Sequence, residues 1–143
     1  MSKNLANCTP DEFLDQSFLI MNAAEKFMKV NDILGIRSRK VEGLQEIPTD
    51  NEEEAERVRR ENAKKITAQR MRNVKDLLTS MMHTNKKETL ELLAISCFID
   101  PADVNNYTMP FFLRNVGEMI SNPDVLAFFT SAAQLEQTGI FSA

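Results

Sequence analysis

Apolar residues recur along this chain at steps of three, four and seven, the period of a helix face, and nowhere in sustained alternation. Thr9-Pro10-Asp11-Glu12 joins an N-cap hydroxyl, a Pro suited to the first turn and a Glu three residues after the cap. The spacing predicts a first helix over residues 10–34, with Gly35 as its C-cap and Phe13, Ile20, Met21, Ala24, Phe27 and Met28 as its core face. Residues 35–48 read as a loop or short linker, anchored by Ile36, Val41, Leu44 and Ile47. Thr49 and Glu52 repeat the capping spacing and open a long second helix, carried to about Met82. Its apolar stripe is coherent only from Ala63, through Ile66, Met71, Val74, Leu77, Leu78 and Met81. That stretch is expected to pack, while 49–62, with only Ala55 and Val58 to bury, is expected to project into solvent or fray.

Asn85 and Glu88 offer a start for a third helix through Ile99, apolar nearly all round and therefore central. Asp100-Pro101, Met109-Pro110 and Asn122-Pro123-Asp124 each open a further helix, the last closed by Gly139. With no Asn-Gly or Asp-Gly hairpin signal, the fold class is all-α: a compact multi-helix domain of about five to six helices with one long, partly solvent-exposed charged helix. A single domain over 1–143 is expected, with 36–62 as a charged, mobile segment that is least protected from hydrogen exchange.

Composition bears on function more than on fold. The 143 residues include one His, four Gly and no Trp, which leaves little for proton transfer or for a Gly-rich loop that cradles phosphate. The expectation is a non-enzymatic interaction protein with no cofactor and no metal. His83, at a helix C-terminus, suits the helix dipole better than a catalytic triad. Cys8 and Cys97 are far apart and read as reduced thiols, Cys97 as a small apolar core residue. No leader pattern or bilayer-length apolar run is readable, so a cytoplasmic protein without membrane contact is expected.

Charge is unevenly placed. Residues 1–48 carry six basic and seven acidic side chains, 49–87 ten and seven, and 88–143 one and seven, giving −1, +3 and −6. The basic stretch from Arg57 to Lys75 supports an alternative function, a small helical nucleic-acid-binding regulator using Arg57, Arg60, Lys64, Lys65, Arg72 and Lys75. Against it, no aromatic residue lies between 50 and 97 to stack on bases, and Glu53/Arg57, Glu56/Arg60 and Glu61/Lys65 have the spacing of pairs that solvate a helix. Eight Met and nine Phe are instead a soft apolar surplus suited to adaptable protein surfaces. Ile140 and Phe141, beyond Gly139, are candidate partner-binding residues, expected to serve association more than folding.

Three phrases carry a resemblance: Asn7-Cys8-Thr9-Pro10-Asp11-Glu12-Phe13-Leu14, Thr89-Leu90-Glu91-Leu92-Leu93-Ala94 running into Cys97-Phe98-Ile99-Asp100-Pro101, and Val125-Leu126-Ala127-Phe128-Phe129-Thr130-Ser131. In these the chain resembles the small tail assembly chaperones of long-tailed phages and prophages of Gram-positive bacteria. The resemblance implies a protein that binds and solubilises a helical client, the tape-measure protein, in the host cytoplasm during tail morphogenesis. It transfers no functional residue. A second copy of the chain is a further expected partner.

Overall fold

The computed structural model describes residues 2–137, and these are all-α, without strands. The α-helices are α1 (Pro10–Val30), α2 (Ile33–Arg37), α3 (Glu52–Thr79), α4 (Lys86–Ser96), α5 (Met109–Ser121) and α6 (Pro123–Gln137). A π-helical turn, Ser80–Thr84, prolongs α3, and a 3-10 turn, Pro101–Asn106, lies between α4 and α5. The chain divides into two compact units, one of Met1–Phe27 with Lys87–Ala143 and the other Met28–Lys86.

In the first unit the core gathers on α4. Ala94, Cys97, Val104 and Phe112 form its buried centre, with Leu90, Leu93 and Val116 packed around them. Burial pushes the Cys97 thiol up to about 11, so it is held as a neutral, unreactive thiol. The apolar surround read from the sequence of α4 is thus a central element. The helix ends at Ser96 rather than at Ile99, because Phe98 adopts a left-handed backbone with φ 59. The amide of Ile99 then donates back to the carbonyl of Ala94 at 2.9 Å, closing the helix as a left-handed cap does.

Helix α1 starts as its sequence requires. The Glu12 amide donates to Thr9 Oγ1 at 3.2 Å and the Thr9 amide to Glu12 Oε1 at 3.1 Å, a reciprocal capping box. Its core face differs from the expected one. Ser17 and Ala23 are buried and Phe13, Ile20, Ala24 and Phe27 half-buried, whereas Met21 is 60% and Met28 44% exposed. Small side chains lie on the close-packed line of the helix, and Gln16 Nε2 donates to the Ile95 carbonyl of α4 at 2.6 Å. Phe13 meets the edge of Phe128 with centroids 5.0 Å apart, which holds the start of α1 against α6.

The segment before α1 belongs to this core. Asn4 is fully buried, its Nδ2 donating to Asn115 Oδ1 at 3.2 Å and to Glu118 Oε2 at 3.1 Å, while its Oδ1 accepts from the Ala6 amide at 2.8 Å. A buried amide whose donors and acceptor are all engaged fixes one docking geometry. The Lys3 ammonium pairs with Glu12 and, with the Thr9 amide, holds its carboxyl down at about 2. A folded-state value below the ordinary 4.5 means that this contribution is present above pH 4.5 and lost as pH falls toward about 2. Glu12→Gln keeps a capping oxygen but not the charge. The variant is expected to show a flatter dependence of Tm on pH across that window than the parent; equal slopes would show that the pair does not act on folding.

In the second unit α1 ends at Val30, not at residue 34. Asn31 is buried, and Asp32 turns the chain with φ 49, a conformation Asp tolerates. Gly35 lies within α2 rather than capping α1, and the Asp32 carboxylate fills the space where a Cβ at Gly35 would stand. Asn85 Nδ2 takes up the otherwise orphaned Val30 carbonyl at 3.0 Å and also donates to Ser80 Oγ at 3.0 Å.

Residues 38–51 return along α3. Arg39 Nη1 donates to Asp76 Oδ2 at 2.6 Å, Lys65 Nζ to the Gly43 carbonyl, and Asn62 exchanges two bonds with the backbone of Gln45, each 2.9 Å. The strap ends at Asn51, whose side chain accepts from the Glu54 amide at 3.2 Å; Asn51, not Thr49, is the N-cap. On its way from Gln45 to Asn51 it passes the turns that hold Ala55 and Val58, and these are 2% and 3% exposed. The expectation for α3 is therefore inverted. Its N-terminal half supplies the buried residues, and the apolar half beyond Ala63 is the more open one.

Candidate protein-interaction surface

The C-terminal half of α3 carries Met71, Val74, Leu78 and Met82 at steps of three, four and four, so they form one stripe along the helix. All four are exposed: Met71 66%, Val74 51%, Leu78 45% and Met82 67%. They line an open groove of about 450 Å3, with Lys75 and His83 at its edges. Of the remaining members of the expected core stripe, Ile66, Leu77 and Met81 are half-buried and Ala63 is exposed. The helix thus turns one apolar side inward and leaves a second one outward.

Three bonds hold the end of this stripe in place. The π turn closes with the Asn85 amide donating to the Ser80 carbonyl at 2.7 Å, and Ser80 Oγ donates to the buried Asn31 Oδ1 at 2.6 Å. Asn85 Nδ2 is bonded to Ser80 Oγ at the same place. A widened turn of this kind recurs where a helix serves a function, and here it carries Met82 and His83.

The first unit has a second apolar groove, of about 400 Å3, between the N-terminal segment and the starts of α1 and α6. Leu5, Phe13, Leu14, Val125 and Phe128 form its walls and Cys8 opens into it. Partial burial raises the Cys8 thiol, which keeps it protonated near neutrality.

The six basic residues named as a nucleic-acid face do not act as one group. Arg57 is paired with both Glu54 and Glu61, and its hydrogen bond holds the Glu54 carboxyl below the usual range. Lys65 is spent on the Gly43 carbonyl, and Arg72 donates to Gln69 at 2.7 Å. Arg60 lies 3.9 Å from Glu56, the one expected four-residue pair that forms. Lys64 and Lys75 have no ion-pair partner among the described residues, and Lys75 borders the apolar stripe. Ile140 and Phe141 lie outside the described residues.

Among the described residues no group of three or more His, Cys, Asp or Glu side chains is arranged to hold a metal ion, and no helix is long and apolar enough to cross a membrane. Met71, Val74 and Leu78 are legible as a periodicity, which places them in the expected core; Met82 lies outside that expected stripe. The usable signal was the flank: apolar positions interleaved with Lys64 and Lys75, whose nearby acids in the sequence, Glu61 and Asp76, are both paired with arginines in the structure. Comparison with protein-family models, with curated proteins and with solved structures finds no match to this chain.

Proposed function

We propose that this is a non-enzymatic chaperone that binds a helical client through the exposed stripe of α3. The observation that carries the reading is the row Met71, Val74, Leu78 and Met82, each with 45% or more of its surface open, on a helix whose other half is anchored by Ala55, Val58 and the strap. Helix-in-groove recognition uses apolar anchors at these spacings, and Met adapts its shape to the occupant at little cost. Full burial of four such side chains is worth about 6 to 12 kcal/mol at most, of the same order as the cost of bringing two partners together, so the client must add contacts of its own around the stripe.

The client is the tape-measure protein of a long-tailed phage, on the resemblance of the capping and core phrases of this chain to phage tail assembly chaperones. Co-expression with the products of its neighbouring genes, a tape-measure protein being expected among them, tests this. The client is expected to stay in solution and to co-purify with the parent chain, and to lose both properties with Met71→Ser/Leu78→Ser. A client equally well dispersed and unassociated with or without the chain removes the reading.

A further inference from the structure

The stripe also carries information about the charge of what it binds. Traced toward the N-terminus of α3 at the same spacing, it continues through Thr67 to Lys64 and Arg60. The whole face from Arg60 to Met82 is about 33 Å long at 1.5 Å per residue. One end is cationic and the other apolar, and Lys75 borders the apolar end.

These cations receive little compensation from the chain itself. The carboxylates next to them along α3 are Glu61 and Asp76, and these are taken by Arg57 at 3.0 Å and by Arg39 at 2.6 Å. Lys64 and Lys75 have no ion-pair partner among the described residues, and Arg60 has only the 3.9 Å approach of Glu56. A helix laid on this face would bury its apolar residues against Met71, Val74 and Leu78. Its flanking side chains would then lie beside Lys64 and Lys75. Carboxylates there gain a charge-assisted pairing, and ammonium groups would meet like charge.

We infer that the occupant of the α3 face is an acidic amphipathic helix, one whose apolar stripe is bordered by Glu or Asp. This rests on the reading of the stripe as a docking surface and adds the chemistry of the partner. Charge placed at the edge of a docking face selects partners and orientation more than it adds raw affinity. The inference is therefore about preference.

Two synthetic helical peptides long enough to cover the face test it, with identical Leu/Ala stripes flanked by Glu in one and by Lys in the other. Titrated against the full chain at low salt, the Glu peptide is expected to bind at least about tenfold more tightly, a difference of about 1.4 kcal/mol. The gap should narrow as salt shortens the screening length. Lys64→Glu/Lys75→Glu is expected to reverse the preference, and Met71→Ser/Leu78→Ser to weaken both peptides alike, with circular dichroism checking that each variant keeps its helix content. Equal binding of the two peptides, an unchanged preference in the reversed variant, binding of neither, or stronger binding of a poly-dT oligonucleotide than of the Glu peptide would each overturn the inference. Co-purification of the client despite equal peptide binding would leave the chaperone reading standing alone. Clear charge preference without any association with the tape-measure protein would leave the acidic partner and remove that client.

Discussion

Phe112→Ala is expected to destabilise the first unit by about 3 to 5 kcal/mol, the cost of deleting a buried aromatic ring from a close-packed site. Phe112 is 2% exposed and stands with Ala94, Cys97 and Val104 at the centre of that core. It also meets Phe111 edge-on at 5.4 Å and Tyr107 at 6.0 Å, so the cavity left by Ala would be lined by rings that cannot close over it. The chain has one Tyr and no Trp, which makes Tyr107 fluorescence a reporter of this unit alone. Its urea midpoint should fall sharply in the variant. An unchanged midpoint would mean that Phe112 is not at the centre of the core.

The second large effect contrasts two ends of one helix. Val58→Asp should cost about 3 kcal/mol or more, because it places a carboxylate at a position only 3% exposed, out of reach of water. Leu78→Asp, the same chemistry twenty residues on, should change stability by about 0.5 kcal/mol or less, as at other open surface positions. Hydrogen exchange separates them: amides around residues 55–62 should lose protection in Val58→Asp and keep it in Leu78→Asp. Binding of the proposed client should respond in the opposite sense, weakened by Leu78→Asp. Equal destabilisation by the two variants would contradict the inverted burial of α3.

Local chemistry at the helix starts is legible in the sequence. Thr9 with Glu12, Asp100 before Pro101 and Asn122 before Pro123 all act as caps, since each depends only on residues two or three apart. Which side of a helix faces inward is not, because periodicity marks an apolar face without naming what covers it. In α3 the deciding partner is the strap, whose bonds from Gln45 to Asn62 and from Arg39 to Asp76 join residues 17 and 37 apart. Asn4 is illegible for the same reason: a short polar residue far from its partner in sequence gives no sign that it will meet Asn115. The candidate surface was half visible. Met71, Val74 and Leu78 belong to the expected core stripe and Met82 does not, and the exposure of all four beside lysines without an ion-pair partner marks them as surface.

The meeting of Asn4 with Asn115 and Glu118 also sets an order of events during synthesis. The second unit, residues 28–86, lies wholly within the interval between the two stretches that build the first. Once residue 86 has left the ribosome, every strap and turn contact of that inner unit is available to it. The opening segment and α1 must wait for α5 before their buried amide network can close, a separation of 111 residues for Asn4 and Asn115. Closing so long a loop is entropically cheaper when its interior has already condensed. The nascent chain therefore completes the α3 segment, with its exposed apolar stripe, before the core that needs both chain ends can close.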